Sequence, residues 1–194
     1  MARSLKRLFE ILRECYTPPK GGEWGNLANA DGLIALSFGD KKSSRFPEAG
    51  VSNQALARLV MAVNDRYFKE TGQVLVLAVQ TEIADYLSRT LARKSTILTP
   101  VGYADTRQVI LSAKKLLQKD GKPIKRLAVV AHHRHFDPRI KWALKAAGYE
   151  VVFTPHLIGI PYDPQNGQFW VRSEKVFQFR ELLACLAFWF RGWI

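Results

Sequence analysis

The sequence predicts a doubly wound α/β domain: a mainly parallel, Rossmann-like sheet with helices on both faces. Three observations carry that prediction. Several short runs are apolar throughout instead of alternating with polar residues, as strands buried on both faces are. Between them lie longer segments with apolar residues at helical spacing, the alternation expected of crossover helices. The chain is 194 residues long and 47% hydrophobic, enough for one domain that buries its own core without a disulfide or metal.

The elements follow in order. Residues 4–15 carry Leu5, Leu8, Phe9 and Leu12 at helical spacing, and the proline- and glycine-rich stretch 17–22 stops that helix. The run 32–37 reads as a buried strand ending before Gly39 and Asp40. Ser52 is placed to cap a long amphipathic helix with Leu56, Leu59, Val60, Val63 and Tyr67 on one face, ending near Gly72. A second strand spans 74–79. Next come a helix over 82–93 with Ile83, Leu87 and Leu91 inward, a strand at 96–98, and a helix over 106–119 with Val109, Ala113, Leu116 and Leu117 inward. The remaining elements are a strand at 127–131, a helix over 138–147 stopped by Gly148, a strand at 149–153, and a last helix over 174–190. Two irregular stretches, 39–51 and 154–173, are long for connections inside a compact domain, which points to function or mobility.

Composition narrows the function classes. The chain has 29 Lys and Arg against 17 Asp and Glu, a formal charge of +12. These cations occur in every predicted helix (Lys6, Arg58, Arg89, Lys114 and Lys141 among them) instead of on one stripe, and no nucleic-acid recognition motif is present. A basic module binding nucleic acid or an acidic partner is therefore the alternative reading and not the first. Cys15 and Cys185 have no CxxC or CxxH spacing, which fits free buried thiols in a reducing, cytoplasmic compartment. Glu10, Arg13 and Glu14 interrupt what would have to be the apolar stretch of a signal peptide. The longest apolar run, 182–190, is far shorter than the ~20 residues that span a bilayer, so no transmembrane segment is expected. The end of the chain is apolar on most sides. A helix there is expected to be buried on the sheet, to form a dimer contact, or to lie on a membrane surface.

In an open α/β sheet, ligands bind beyond the carboxyl ends of the strands. That places 37–44 after the first strand, with Ser37, Gly39 and Asp40; 80–82 after the second, with Gln80, Thr81 and Glu82; 103–106 at a helix start, with Asp105 and Thr106; and 132–135 after the fourth, opening the 132–139 turn. The first of these turns is neither GxGxxG nor GxxxxGK[ST], so ordinary NAD and P-loop nucleotide binding are not expected; Lys41, Lys42 and Arg45 are left as point charges for an anion or as a solvated loop. Asp105 or Thr106 also suits a helix N-cap. The 132–139 turn is the most unusual segment: His132, His133, Arg134, His135, Asp137 and Arg139 hold three of the four histidines in the chain. Imidazoles suit acid/base work near neutral pH, and Arg139 suits a carboxylate or phosphate. The competing metal reading compares His133, His135 and Asp137 with an HxHxDH cluster, which breaks at Pro138; no metal is expected. In the 160–173 loop, Phe169 and Trp170 read as buried anchors, and Asp163 and Arg172 as a local pair or, for Arg172, a ligand contact.

Three features resemble the bacterial YdcF-like family. Asp105 and Thr106 open a helix in a polar turn. Val129 and Val130 lead to His135 and Arg139 and then to Ala146, Ala147, Gly148, Tyr149, Glu150 and Val151. The third is the tail with Pro161, Tyr162, Asp163 and Pro164, then Gln168 to Ser173, then Arg180 and Glu181. The family's glycine-rich first turn is reduced here to Ser37, Phe38, Gly39 and Asp40, and the His135 to Arg139 interval is one residue wider than the commoner spacing. The resemblance implies a Rossmann-like domain binding a small anionic or nucleotide-like ligand at the strand ends, with hydrolase or transferase chemistry linked to the cell envelope as its active version. His135 is then the acid/base and Arg139 the stabiliser of negative charge. Envelope-linked members carry a membrane segment that is not read here, so a soluble relative is implied.

Overall fold

The structure is a computed structural model that describes residues 5–17, 22–39, 50–98, 105–119, 121–157 and 159–192. Helix α1 (Leu5–Tyr16) is followed by a two-residue strand β1 (Trp24–Gly25), strand β2 (Gly32–Ala35) and the long helix α2 (Val51–Thr71). Strand β3 (Val76–Gln80) leads directly into the short helix α3 (Thr81–Ala84), then α4 (Arg89–Lys94) and β4 (Thr96–Leu98). Helix α5 (Thr106–Leu116) precedes a small hairpin of β5 (Gln118–Lys119) and β6 (Lys122–Pro123). After β7 (Arg126–Val130) come one helical turn, α6 (His133–His135), a wide turn over Phe136–Ile140, and α7 (Lys141–Ala146). Strand β8 (Glu150–Thr154) and helix α8 (Glu174–Phe190) complete the chain.

The main sheet has the order β1-β8-β7-β2-β3-β4. Five of its strands are parallel, and only β1 runs antiparallel, against β8. Numbered among themselves, the parallel strands follow the Rossmann order 3-2-1-4-5, which reverses direction between β2 and β7. Register is fixed by alternation. In β2, Leu33 and Ala35 face one core and Ile34 the other; in β7, Ala128 and Val130 face the first and Leu127 and Val129 the second. The first core is closed by Leu56, Val60 and Val63 of α2, the second by Val109, Ile110 and Ala113 of α5 and Leu144 of α7. The sheet is therefore covered on both faces, as the continuous apolar runs require.

Several element boundaries differ from the sequence expectation. Ser52 does not cap α2: the cap position is Gly50, and the buried Ser52 hydroxyl donates to the Pro161 carbonyl at 2.6 Å. Helix α2 ends as expected at Gly72, whose left-handed φ of 70° lets its amide reach back to the Phe68 carbonyl. The single helix expected over 82–93 is two, because Ser88 caps a fresh start by accepting from the Leu91 amide. The helix expected over 138–147 is regular only from Lys141. Asp137 has extended backbone (φ −99°, ψ 123°), as a residue before proline is driven to adopt, and the wide turn absorbs the break.

Candidate functional site

The strand order reverses between β2 and β7, and a cleft of about 220 Å³ opens just beyond their carboxyl ends. Its floor is the exit of β2, residues 36–39. The Ser37 amide donates to Gln80 Oε1 at 2.8 Å, so the residue ending β3 holds the chain leaving β2. The Phe38 amide donates to Asn53 Oδ1 at 2.9 Å, tying the same turn to the buried start of α2. Gly39 has φ 86°, and a Cβ there would stand 2.6 Å from Asn166 Nδ2 and 3.0 Å from Val171 Cγ2. Only glycine allows the two loops to meet this closely.

One wall comes from α5. Asp105 is its N-cap, accepting from the Gln108 amide at 2.8 Å while Gln108 Oε1 accepts from the Asp105 amide, a closed capping box. This fixes Thr106 at the first helical position, buried, at the positive end of the helix dipole. The opposite wall comes from the turn after β7. His135, just before the kink at Asp137, and Arg139, just after it, both line the cleft, and His135 Nε2 lies 3.1 Å from Thr106 Oγ1. Burial, reinforced by the Arg139 and Arg180 charges, holds the His135 imidazole well below its ordinary pKa, so it is neutral at physiological pH. Arg139 Nε stands 2.8 Å from Glu181 Oε1 in an ion pair whose side chains are 7% and 4% exposed. Burial raises the Glu181 carboxyl above the usual range, with Arg139 and Arg180 opposing.

The third wall is the long loop after β8 and the start of α8, supplying Gln168, Trp170, Phe177 and Arg180. The Arg180 guanidinium lies over the Trp170 ring, 4.6 Å from its centroid. The loop is held by Asp163, whose carboxylate accepts from the Gly50 amide at 2.6 Å and from Asn166 Nδ2 at 3.3 Å. Arg172 Nε donates to the Asn166 carbonyl at 2.6 Å. The expected Asp163 to Arg172 pair is thus replaced by two separate anchors, Asp163 to the cap of α2 and to Asn166, and Arg172 to the Asn166 carbonyl.

Among the sequence-predicted residues, Ser37, Gly39, Gln80, Asp105, Thr106, His135 and Arg139 line the cleft together. Thr81, His132, His133 and Arg172 do not. Thr81 opens α3, and Arg172 is exposed and engaged with its own loop. His132 is completely buried, its ring 3.7 Å from that of Phe38 and 10° from parallel, with His133 stacked on its other side at 4.2 Å. Burial, aided by His133, lowers its pKa to about 2. It is a neutral core residue beneath the cleft floor. Phe169 is 61% exposed, against the expectation that it anchors the loop. Asp40, Lys41, Lys42 and Arg45 lie outside the described residues. Glu82, at the end of the strand-end segment 80–82, lines the cleft as well; Gln168, Trp170 and Arg180 also line it, although the strand-end pattern does not point to them as ligand contacts. For Arg180 the sequence holds one signal, its place beside Glu181 as two charges just before an apolar helix run.

Among the described residues, no group of three or more His, Cys, Asp or Glu side chains is placed to hold a metal ion, and no helix is long and apolar enough to cross a membrane. No protein-family model, curated protein or solved structure gives a significant match to the chain.

Proposed function

We propose that this chain is a cytoplasmic YdcF-like protein whose cleft binds a small anionic or nucleotide-like ligand and hydrolyses it by acid/base catalysis. The observation that carries this reading is the 3.1 Å contact between Thr106 and a neutral, half-buried His135 where the strand order reverses. Arg180 and the positive end of α5 favour an anion, and Arg139, whose charge is shared with Glu181, adds to that attraction. A planar group on the ligand has the Trp170 and Phe177 rings to lie against. The buried Cys185 thiol is in keeping with a reducing compartment.

In the reaction, neutral His135 Nε2 takes the Thr106 hydroxyl proton as that hydroxyl takes one from an attacking water, whose oxygen bonds to the phosphorus or carbonyl carbon. It then returns that proton to the leaving oxygen as the old bond breaks. Thr106 orients the imidazole, and the two arginines oppose the negative charge that develops. The test is a thermal-shift series with inorganic phosphate, nucleoside mono- and diphosphates and NAD, followed by turnover of p-nitrophenyl phosphate and p-nitrophenyl acetate. At least one anion raises the melting temperature, Arg180→Met weakens it about tenfold or more, and His135→Gln lowers turnover by roughly 100-fold while leaving binding in place. No shift with any of these anions, or a shift indifferent to both Arg180→Met and Thr106→Val, overturns the reading.

A further inference from the structure

Helix α8 carries two apolar faces. One holds Phe177, Cys185 and Phe188 and is buried. The other holds Val176, Phe179, Leu183 and Phe190, spaced at 3, 4 and 7 residues so that they align along one side of the helix. Phe179 is 62% exposed, Leu183 51% and Phe190 62%. Elsewhere on the described helices, exposed large apolar residues such as Phe68 on α2 and Leu111 and Leu116 on α5 are single or, five residues apart, not aligned along one side, which is ordinary. An aligned row of aromatic and aliphatic side chains over a 17-residue helix is not.

Helix α1 packs along α8 and adds Phe9, 69% exposed. Arg134 joins the two helices by pairing with Glu174 of α8 at 2.5 Å and donating to the Thr17 carbonyl just beyond α1 at 3.2 Å. Exposed cations stand on the same two helices: Lys6 and Arg13 on α1, Lys175 and Arg191 at the two ends of α8.

We infer that this α1 and α8 face docks on an anionic lipid bilayer, with Phe179, Leu183 and Phe190 inserted among the acyl chains and these cations at the headgroups. The charge of the chain selects this occupant. At +12, a second copy of the same chain is repelled, whereas a surface rich in anionic phospholipid is attracted. Helix α8 is too short and too firmly buried on its other side to span the membrane, so it lies in the interface plane. This docking does not depend on the chemistry of the cleft and survives its failure.

Vesicle flotation of the full chain tests it. The wild-type chain floats with vesicles of equal parts phosphatidylcholine and phosphatidylglycerol, floats less with phosphatidylcholine alone, and is released as salt is raised. The combined substitutions Phe179→Ser, Leu183→Ser and Phe190→Ser reduce partitioning about tenfold or more, because each deletes apolar area that the bilayer would bury. All three residues are exposed, so the melting temperature stays near that of wild type; Leu183→Ser alone gives a smaller fall in the same direction and covers the case of a destabilised triple variant. Three results overturn the inference: no flotation with the anionic vesicles, a folded triple variant that floats like wild type, or a wild-type dimer that the triple substitution converts to monomer.

Discussion

Lowering the pH from about 7 to about 5 destabilises the folded chain through His132, and His132→Phe removes that part of the acid sensitivity. In the unfolded chain His132 titrates at its ordinary value of 6.5, whereas in the folded protein it binds a proton only near pH 2. The stabilisation this gives is fully present above pH 6.5 and is lost as the pH falls toward the folded-state value, because the unfolded chain takes up a proton that the native state refuses. Below 6.5 the loss is about 1.4 kcal/mol per pH unit, and integrated from pH 7 to 5 it comes to about 2 kcal/mol. Other groups with shifted pKa also titrate. His135 and His133 act in the same direction as His132, and Glu181, whose pKa is raised, acts in the opposite one. All of these remain in His132→Phe, which keeps a ring in the stack between Phe38 and His133, so the difference between the two proteins isolates one imidazole. Urea unfolding of both at the two pH values provides the measurement. The variant should lose about 2 kcal/mol less than wild type. Parallel loss in both proteins would refute the placement of a neutral His132 in the core.

Two further perturbations report on how the cleft is held. Glu181→Gln leaves the Arg139 guanidinium buried without its counter-charge and should cost about 3–5 kcal/mol by urea unfolding, much of it recovered when Arg139→Met is added. Asp163→Ala removes the acceptor of the Gly50 amide across 113 residues of sequence; it should cost about 1–3 kcal/mol and free the 160–173 loop, read as faster amide exchange at Gly50 and Asn166.

Much of the cleft is legible in the sequence because strand ends are legible. A run that is apolar throughout must stop where backbone leaves the sheet, so local pattern alone places Ser37, Gln80 and the turn after Ala131 at one edge. His132 and His133 show the limit of that logic. Four consecutive positions after a strand point in different directions, and only packing decides that His135 reaches Thr106 while His132 stacks under Phe38. The kink at Asp137, which turns Arg139 toward Glu181, is encoded by Pro138, but the partner it finds lies 42 residues further along.

Local pattern in the chain is enough to specify the alternation of strands and helices, the two-sided burial of the sheet and the extent of α8, because each follows from the spacing of neighbouring apolar residues. It does not specify the pairing of Trp24 and Gly25 with β8, the separation of Asp163 from Arg172, the entry of Arg180 into the cleft, or the exposure of one apolar face of α8. Those arise from contacts between segments far apart in the chain. Periodicity says that a side chain is apolar or charged and which way it faces on its own element; only the assembled layers decide what, if anything, stands opposite it.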